Sequence, residues 1–346
     1  MQFPGAAPPS VGVLFDSSFD RIDDLLTMAL LYGLDGKGEM RMSAVTVSRP
    51  DFAAAQFCEV VKRFYMGAGG GFGFGASFPV GLATALQGKP QAKPLPVYSA
   101  LLTKTSDDGA PLYKPAIESF IDTGDPATVL RNALTASQPH NTIVIASGPL
   151  SSLARLMEMR GSKDLIALNV RYLAIAAGPW IAADAAAAKV AQHVFDEWPT
   201  PIFASSAELG AAVRFPASSI EKDFAWSKAH PVADAYRAFQ PMPYDAPTSA
   251  MDAALYAIRP SAGYFKLSGP GVFRASATGV EFTPSAQGKH QLLLPDEAQT
   301  SAVVKAFTEL ASARPVVRAR RGPKADANAD AKADPNADKA QPVKKQ

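Results

Sequence analysis

A chain of 346 residues, 47% hydrophobic and 19% charged, has ordinary globular composition and enough apolar material for one large α/β domain or two smaller ones. No run of about 18 apolar residues occurs, so no membrane span is expected, and a single cysteine, Cys58, rules out an intrachain disulfide. The net charge of +2 resides in the tail, because from Arg314 onward nine Lys/Arg oppose four Asp, which leaves the body at about −3 with no basic footprint for nucleic acid.

In chain order, residues 1–10 read as an N-terminal extension without the basic and apolar regions of a signal peptide, so a cytoplasmic location is expected. Val11–Phe15 is a short apolar run suited to a buried parallel strand, and Asp23 to Tyr32 follows with helical spacing. Met42–Val47 and Ala53–Tyr65 repeat that strand-helix unit. So do Thr142–Ala146 with Leu150–Met159, and Tyr172–Ala176 with Ala183–Phe195. Pro201–Ala204 adds a strand and Met251–Ile258 a helix. This rhythm predicts an α/β fold, a mostly parallel, Rossmann-like sheet flanked by helices. Tyr264–Leu294 alternates like a small antiparallel part, with turn signals at Gly269-Pro270 and Gln287-Gly288. Residues 11–315 form the body. Residues 316–346, poor in large apolar side chains, read as a disordered, solvated tail.

Several tempting features lack chemical context. Gly67–Gly75 has no Lys-Ser/Thr after it and reads as a loop rather than a phosphate cradle. Cys58 lies in an apolar helical pattern with Phe57, Val60 and Val61 and reads as a packed thiol. His140, His193, His230 and His290 show no zinc spacing and read as structural or exposed. No Gly-x-Ser-x-Gly element supports a serine hydrolase.

The chemistry concentrates where the first strand ends. Asp16, Asp20, Asp23 and Asp24 fall within nine residues of one loop and helix start. Carboxylates this close repel unless they are solvated, bonded to a helix N-terminus or bound to a cation. Helix capping and a hard divalent cation both account for the pattern.

Further segments resemble the inosine/uridine-preferring nucleoside hydrolase family, in particular a bacterial branch, from about Val11 to Pro315. Asp16 and Asp23-Asp24 match the ends of that family's opening Asp-x-Asp…Asp-Asp motif. Ser147-Gly148-Pro149-Leu150-Ser151-Ser152 resembles its Gly-Pro-Leu-Thr-Asn turn. Asp184 to Ala188, Trp198-Pro199-Thr200-Pro201-Ile202 and Met251-Asp252 follow in the family's order. The resemblance implies a nucleoside-hydrolase-like fold and hydrolysis of the N-glycosidic bond of ribonucleosides. It also implies a Ca²⁺ held by Asp24, the Ser147 carbonyl and Asp252, a nucleoside or related riboside as partner, and a homo-oligomer. Asp16 and Asp20 are the candidate catalytic residues, and Asp23, Trp180 and Asp184 the candidate substrate-binding ones. Trp226 and Tyr244 lie where the family closes over the base.

The departures point the other way. Ser18 stands where the family has the Asp that serves as metal ligand and general base, and a hydroxyl is a poor base. The ribose-contact segment reads Gly178-Pro179-Trp180-Ile181-Ala182-Ala183, without Asn or carboxylate, and Met251 cannot donate a proton. Each such group typically contributes on the order of 10²-fold. The reading is therefore a divergent member with weak or lost hydrolase activity, or a catalytically silent one that binds a ligand or assembles.

Overall fold

The apolar runs of the sequence lie side by side in one sheet. The computed structural model describes residues 10–66, 78–83 and 95–316. The glycine-rich segment, the first nine residues and the tail after Val316 lie outside the described residues. The strands are β1 (Val11–Ser17), β2 (Met40–Val47), β3 (Val80–Leu82), β4 (Thr142–Ser147), β5 (Val170–Ala177), β6 (Ile202–Ser206), β7 (Arg214–Phe215), β8 (Ala246–Pro247), β9 (Lys266–Leu267), β10 (Gly271–Ser276), β11 (Gly279–Pro284) and β12 (Gln291–Leu294). The helices are α1 (Ile22–Gly36), α2 (Phe52–Met66), α3 (Pro96–Leu102), α4 (Pro126–Thr135), α5 (Ser151–Glu158), α6 (Ser162–Asn169), α7 (Ala185–Glu197), α8 (Ala207–Ala212), α9 (Ala217–Lys222), α10 (Pro231–Phe239), α11 (Ser249–Ile258) and α12 (Thr300–Ala311).

The main sheet has the order β3-β2-β1-β4-β5-β6-β12-β9, parallel throughout except for β9 at its edge. Both faces are covered, which is why the strands read as unbroken apolar runs. On β1, Val13 and Phe15 enter one core with α1, α2, α11 and α12, whereas Leu14 enters the other with α4, α5 and α7. On β4, Ile143 and Ile145 face the first core, and Val144 and Ala146 the second. Local chemistry sets the helix starts. Asp125 caps α4 by accepting from the Thr128 amide at 3.0 Å, with Pro126 in the first turn, where its missing N–H does no harm.

The C-terminal part holds the expected small antiparallel element, and one of its strands joins the main sheet. β10 and β11 form an antiparallel hairpin, which turns before Gly279, where φ is +136°. β12 joins the main sheet parallel to β6. Buried His290 stitches this junction. Its Nδ1 accepts from the Ile202 amide at 3.0 Å, so Nε2 carries the proton and donates to the Phe195 carbonyl at 3.0 Å. Burial holds this imidazole below its ordinary pKa, consistent with a neutral structural role. No helix among the described residues is long and apolar enough to cross a membrane.

Helix α1, which carries the acidic motif, is held against α12 by the absence of a side chain. A Cβ on Gly33 would lie 2.1 Å from the Leu310 carbonyl oxygen, a backbone atom that cannot swing aside. In an unobstructed helix interior, alanine would be favoured over glycine by about 1 kcal/mol. Here the clash reverses the sign. Gly33→Ala is expected to destabilise the fold by about 1–3 kcal/mol, read as a lowered urea midpoint. A variant as stable as the parent would contradict this packing.

Candidate functional site

The strand order reverses between β1 and β4, the topological switch point where open parallel sheets form a crevice at their carboxyl ends. Register carries Asp16 beside Thr46 of β2 and Ser17 beside Ser147 of β4. Close approach of the two strand ends depends on Gly148, where a Cβ would lie 2.6 Å from the Ser18 amide nitrogen and 2.7 Å from Ser48 Oγ. The loop between β1 and α1 turns at Phe19, a buried residue held at φ +54°, in the left-handed region that side chains other than glycine seldom adopt. The Tyr98 hydroxyl donates to its carbonyl and helps hold the turn.

Four aspartates are buried here, each with its own partners. Asp16 accepts from the Thr46 hydroxyl at 2.5 Å. Burial raises its pKa from 3.8 to about 7, against the pull of the Thr46 and Ser152 hydroxyls. Asp23 accepts from the amides of Ala250 (2.7 Å) and Met251 (3.2 Å), satisfying orphan donors at the start of α11. Burial lifts it to about 7 against the attraction of Arg21. Asp252 accepts from Ser205 Oγ at 3.1 Å, while the Thr248 hydroxyl, 3.5 Å away, donates to the Val213 carbonyl. Burial, then the charge of Asp23, pushes it well above the carboxylate range.

Asp24 differs because a cation reaches it. Arg21 Nη2 donates to Asp24 Oδ1 at 2.7 Å and to the Ser147 carbonyl at 3.1 Å. The Ser147 hydroxyl donates to the same carboxylate at 2.6 Å, and the Arg21 amide lies 3.3 Å from Oδ2. Burial raises Asp24 to about 6, with Arg21 as the main opposing influence. The Trp180 ring closes over the guanidinium, with Arg21 Cζ 3.8 Å from the ring centroid. Trp180 is itself placed by an indole hydrogen bond to the Ala176 carbonyl at 2.8 Å and by Gly178, whose missing Cβ would fall 2.4–2.5 Å from the ring.

The structure thus brings Asp16, Asp23, Asp24, Ser147 and Trp180 to one end of the sheet. Asp20 sits in the loop, accepting from the Ser18 hydroxyl at 2.7 Å. Asp184 is exposed and caps α7, with Oδ1 accepting from the Ala186 and Ala187 amides at 2.8 Å each. Trp226 stacks on Phe64 and donates to the Ser312 carbonyl, and Tyr244 stacks on Tyr236, so both are engaged in packing. His230 is the buried cap of α10, beside Phe64 and Phe224, and burial drops its pKa to about 3. A cavity of about 440 Å³ between α9 and α12, lined by Ser218, Lys222, Thr300 and Lys305 among others, shares none of the site residues.

The donor set does not fit the calcium expected from the family pattern. Asp24 Oδ1 and the Ser147 carbonyl already accept from one guanidinium nitrogen, and Asp252 accepts from Ser205. Among the described residues, no three His, Cys, Asp or Glu side chains converge to hold a metal ion. Arg21 was not singled out in the sequence. A signal existed, since a cation at a helix N-terminus opposes the helix dipole and needs another reason to be there.

No family model and no curated protein matches the chain. Solved structures do. An inosine-uridine preferring nucleoside hydrolase from Bacillus anthracis superposes with TM-score 0.61 at 14% identity over 87% of this chain and 99% of that one. A plant nucleoside hydrolase, PpNRh1, gives 0.62 at 18% identity, over 88% and 100%. The type III effector protein XopQ, complexed with adenosine diphosphate ribose, gives 0.61 at 13% identity, over 88% and 94%. At these identities the likeness establishes the fold, and the chain has that of the nucleoside hydrolases.

The raised pKa of Asp16 sets a pH dependence. The folded state holds a proton that the unfolded chain releases near 3.8, so this group's contribution to stability is fully present below about 4 and is lost as pH rises through about 7. Asp16→Asn removes that loss. The variant's stability relative to the parent should rise between pH 5 and pH 8, measured by urea midpoints. A gap that stays flat would show that Asp16 titrates normally.

Proposed function

We propose that this chain is a riboside-binding protein built on the nucleoside hydrolase fold, taking its ligand in the crevice between β1 and β4 without turning over ordinary nucleosides. The observation that carries this reading is the engagement of the acidic residues by the protein itself. Asp23 serves the α11 amides, Asp24 serves Arg21 and Ser147, and Asp252 serves Ser205. Ser18, where the family pattern places the base, donates to Asp20 instead of accepting a proton from water. What remains accessible at the mouth is Asp20, the edge of Arg21 and Trp180, all partly exposed. An aromatic face beside a carboxylate suits a sugar and its base, by stacking and by accepting from hydroxyls. The solved neighbours support a small-molecule riboside as the class, since one is complexed with adenosine diphosphate ribose and others are nucleoside hydrolases.

A hydrolytic reading is favoured by one feature, the Asp16 carboxyl, whose pKa of about 7 lies in the range of a general base.

A panel of purine and pyrimidine nucleosides and adenosine diphosphate ribose, tested by calorimetry and by free-ribose release, separates the two. Binding without ribose release is expected. Trp180→Ala should weaken it by roughly five- to tenfold, the equivalent of about 1 kcal/mol of ring stacking. Ribose release abolished by Asp16→Asn would establish the hydrolase instead, and no binding of any member would remove the riboside reading.

A further inference from the structure

We infer that the Arg21 guanidinium is a protein-tethered cation standing in the place of a divalent metal, so that this site excludes calcium and would accept it once Arg21 is removed. The inference rests on the nucleoside hydrolase fold and on the geometry around Asp24, and not on riboside binding.

Two oxygens expected to ligate calcium, Asp24 Oδ1 and the Ser147 carbonyl, lie 2.7 and 3.1 Å from a single atom, Arg21 Nη2. Calcium sits about 2.3–2.6 Å from its oxygen ligands. An ion bridging the same two oxygens would overlap Nη2, so occupancy by metal and by guanidinium is mutually exclusive. Trp180 packs against the guanidinium at 3.8 Å and holds it over the site.

Charge points the same way. Relative to the family pattern, Ser18 removes one negative carboxylate, and Arg21 in place of calcium removes one positive charge. The two exchanges compensate, leaving the net charge of the cluster unchanged. Asp24 is wholly buried, so some cation or proton has to accompany it. Arg21 supplies the cation from three residues away, with no dependence on ion concentration.

The test is calcium titration of the full chain, followed by calorimetry and melting temperature after chelator treatment. The parent should bind no calcium at this site, and neither calcium nor chelator should move its melting temperature. Arg21→Ser, and more strongly the double variant Ser18→Asp/Arg21→Ser, should bind one calcium per chain with Kd no weaker than about 10⁻³ M, the weak end of protein calcium sites. Calcium should raise the melting temperature of both. If either variant folds only when calcium is present, that too supports the exchange. Calcium binding by the parent that Asp24→Asn abolishes would overturn the inference. So would failure of both variants to gain calcium, whether they fold without it or remain unfolded in its presence. Because the readout is metal binding, the result stands whether or not the parent binds ribosides.

Discussion

A carboxylate with no access to water must carry a proton or sit beside a cation, and the architecture around β1 and α1 is arranged so that Asp24 has the cation. Breaking such a pair by removing one partner typically costs about 3–5 kcal/mol, since the remaining charge is stranded. Arg21, the Ser147 carbonyl, the Ser147 hydroxyl and the Trp180 ring form one assembly around that charge. It joins the first strand-helix unit to the end of β4 and to the loop after β5. Those are the segments that meet at the switch point.

The assembly depends on backbone geometry elsewhere. The left-handed turn at Phe19 aims the loop so that Arg21 points back over the strand ends. Gly148 lets β4 end against that loop, and Gly178 leaves room for the indole. None of these residues touches Asp24 through a side chain. Each is a place where an added Cβ or a relaxed torsion would displace the guanidinium. Strain at Phe19 is tolerated because the residue is buried and its carbonyl is bonded to Tyr98.

The parallel sheet was legible from the chain because strands buried on both faces have to be apolar throughout, and Val11–Ser17 and Thr142–Ser147 leave little else to read. Helix α3, seven residues, and β3, three residues, are too short to show a periodic pattern. β12 falls in Tyr264–Leu294, the stretch that reads as antiparallel, and its parallel pairing with β6 was not legible, since four residues carry no information on which way a neighbour runs. At the site, the spacing of Asp16, Asp23 and Asp24 pointed to the right end of the sheet. It could not distinguish a metal from a guanidinium, because both satisfy a buried acid equally well in sequence. Arg21 sits among three aspartates on the chain, and that spacing does not say which of them it meets. Only the fold reveals that it also reaches the carbonyl of Ser147, 126 residues away.

The seating of β12 beside β6, with α12 against Gly33 of α1, has a temporal meaning as well as a spatial one. The first strand and helix emerge well before α12, yet α12 makes the surface that seals α1. Until then α1 presents Leu26, Leu30 and Leu34, residues wholly buried in the finished core. Contacts so distant in sequence are slow to form. A growing chain of this design therefore carries an open apolar seam until α12 has emerged, and transiently exposed seams of that kind are where chaperones are needed.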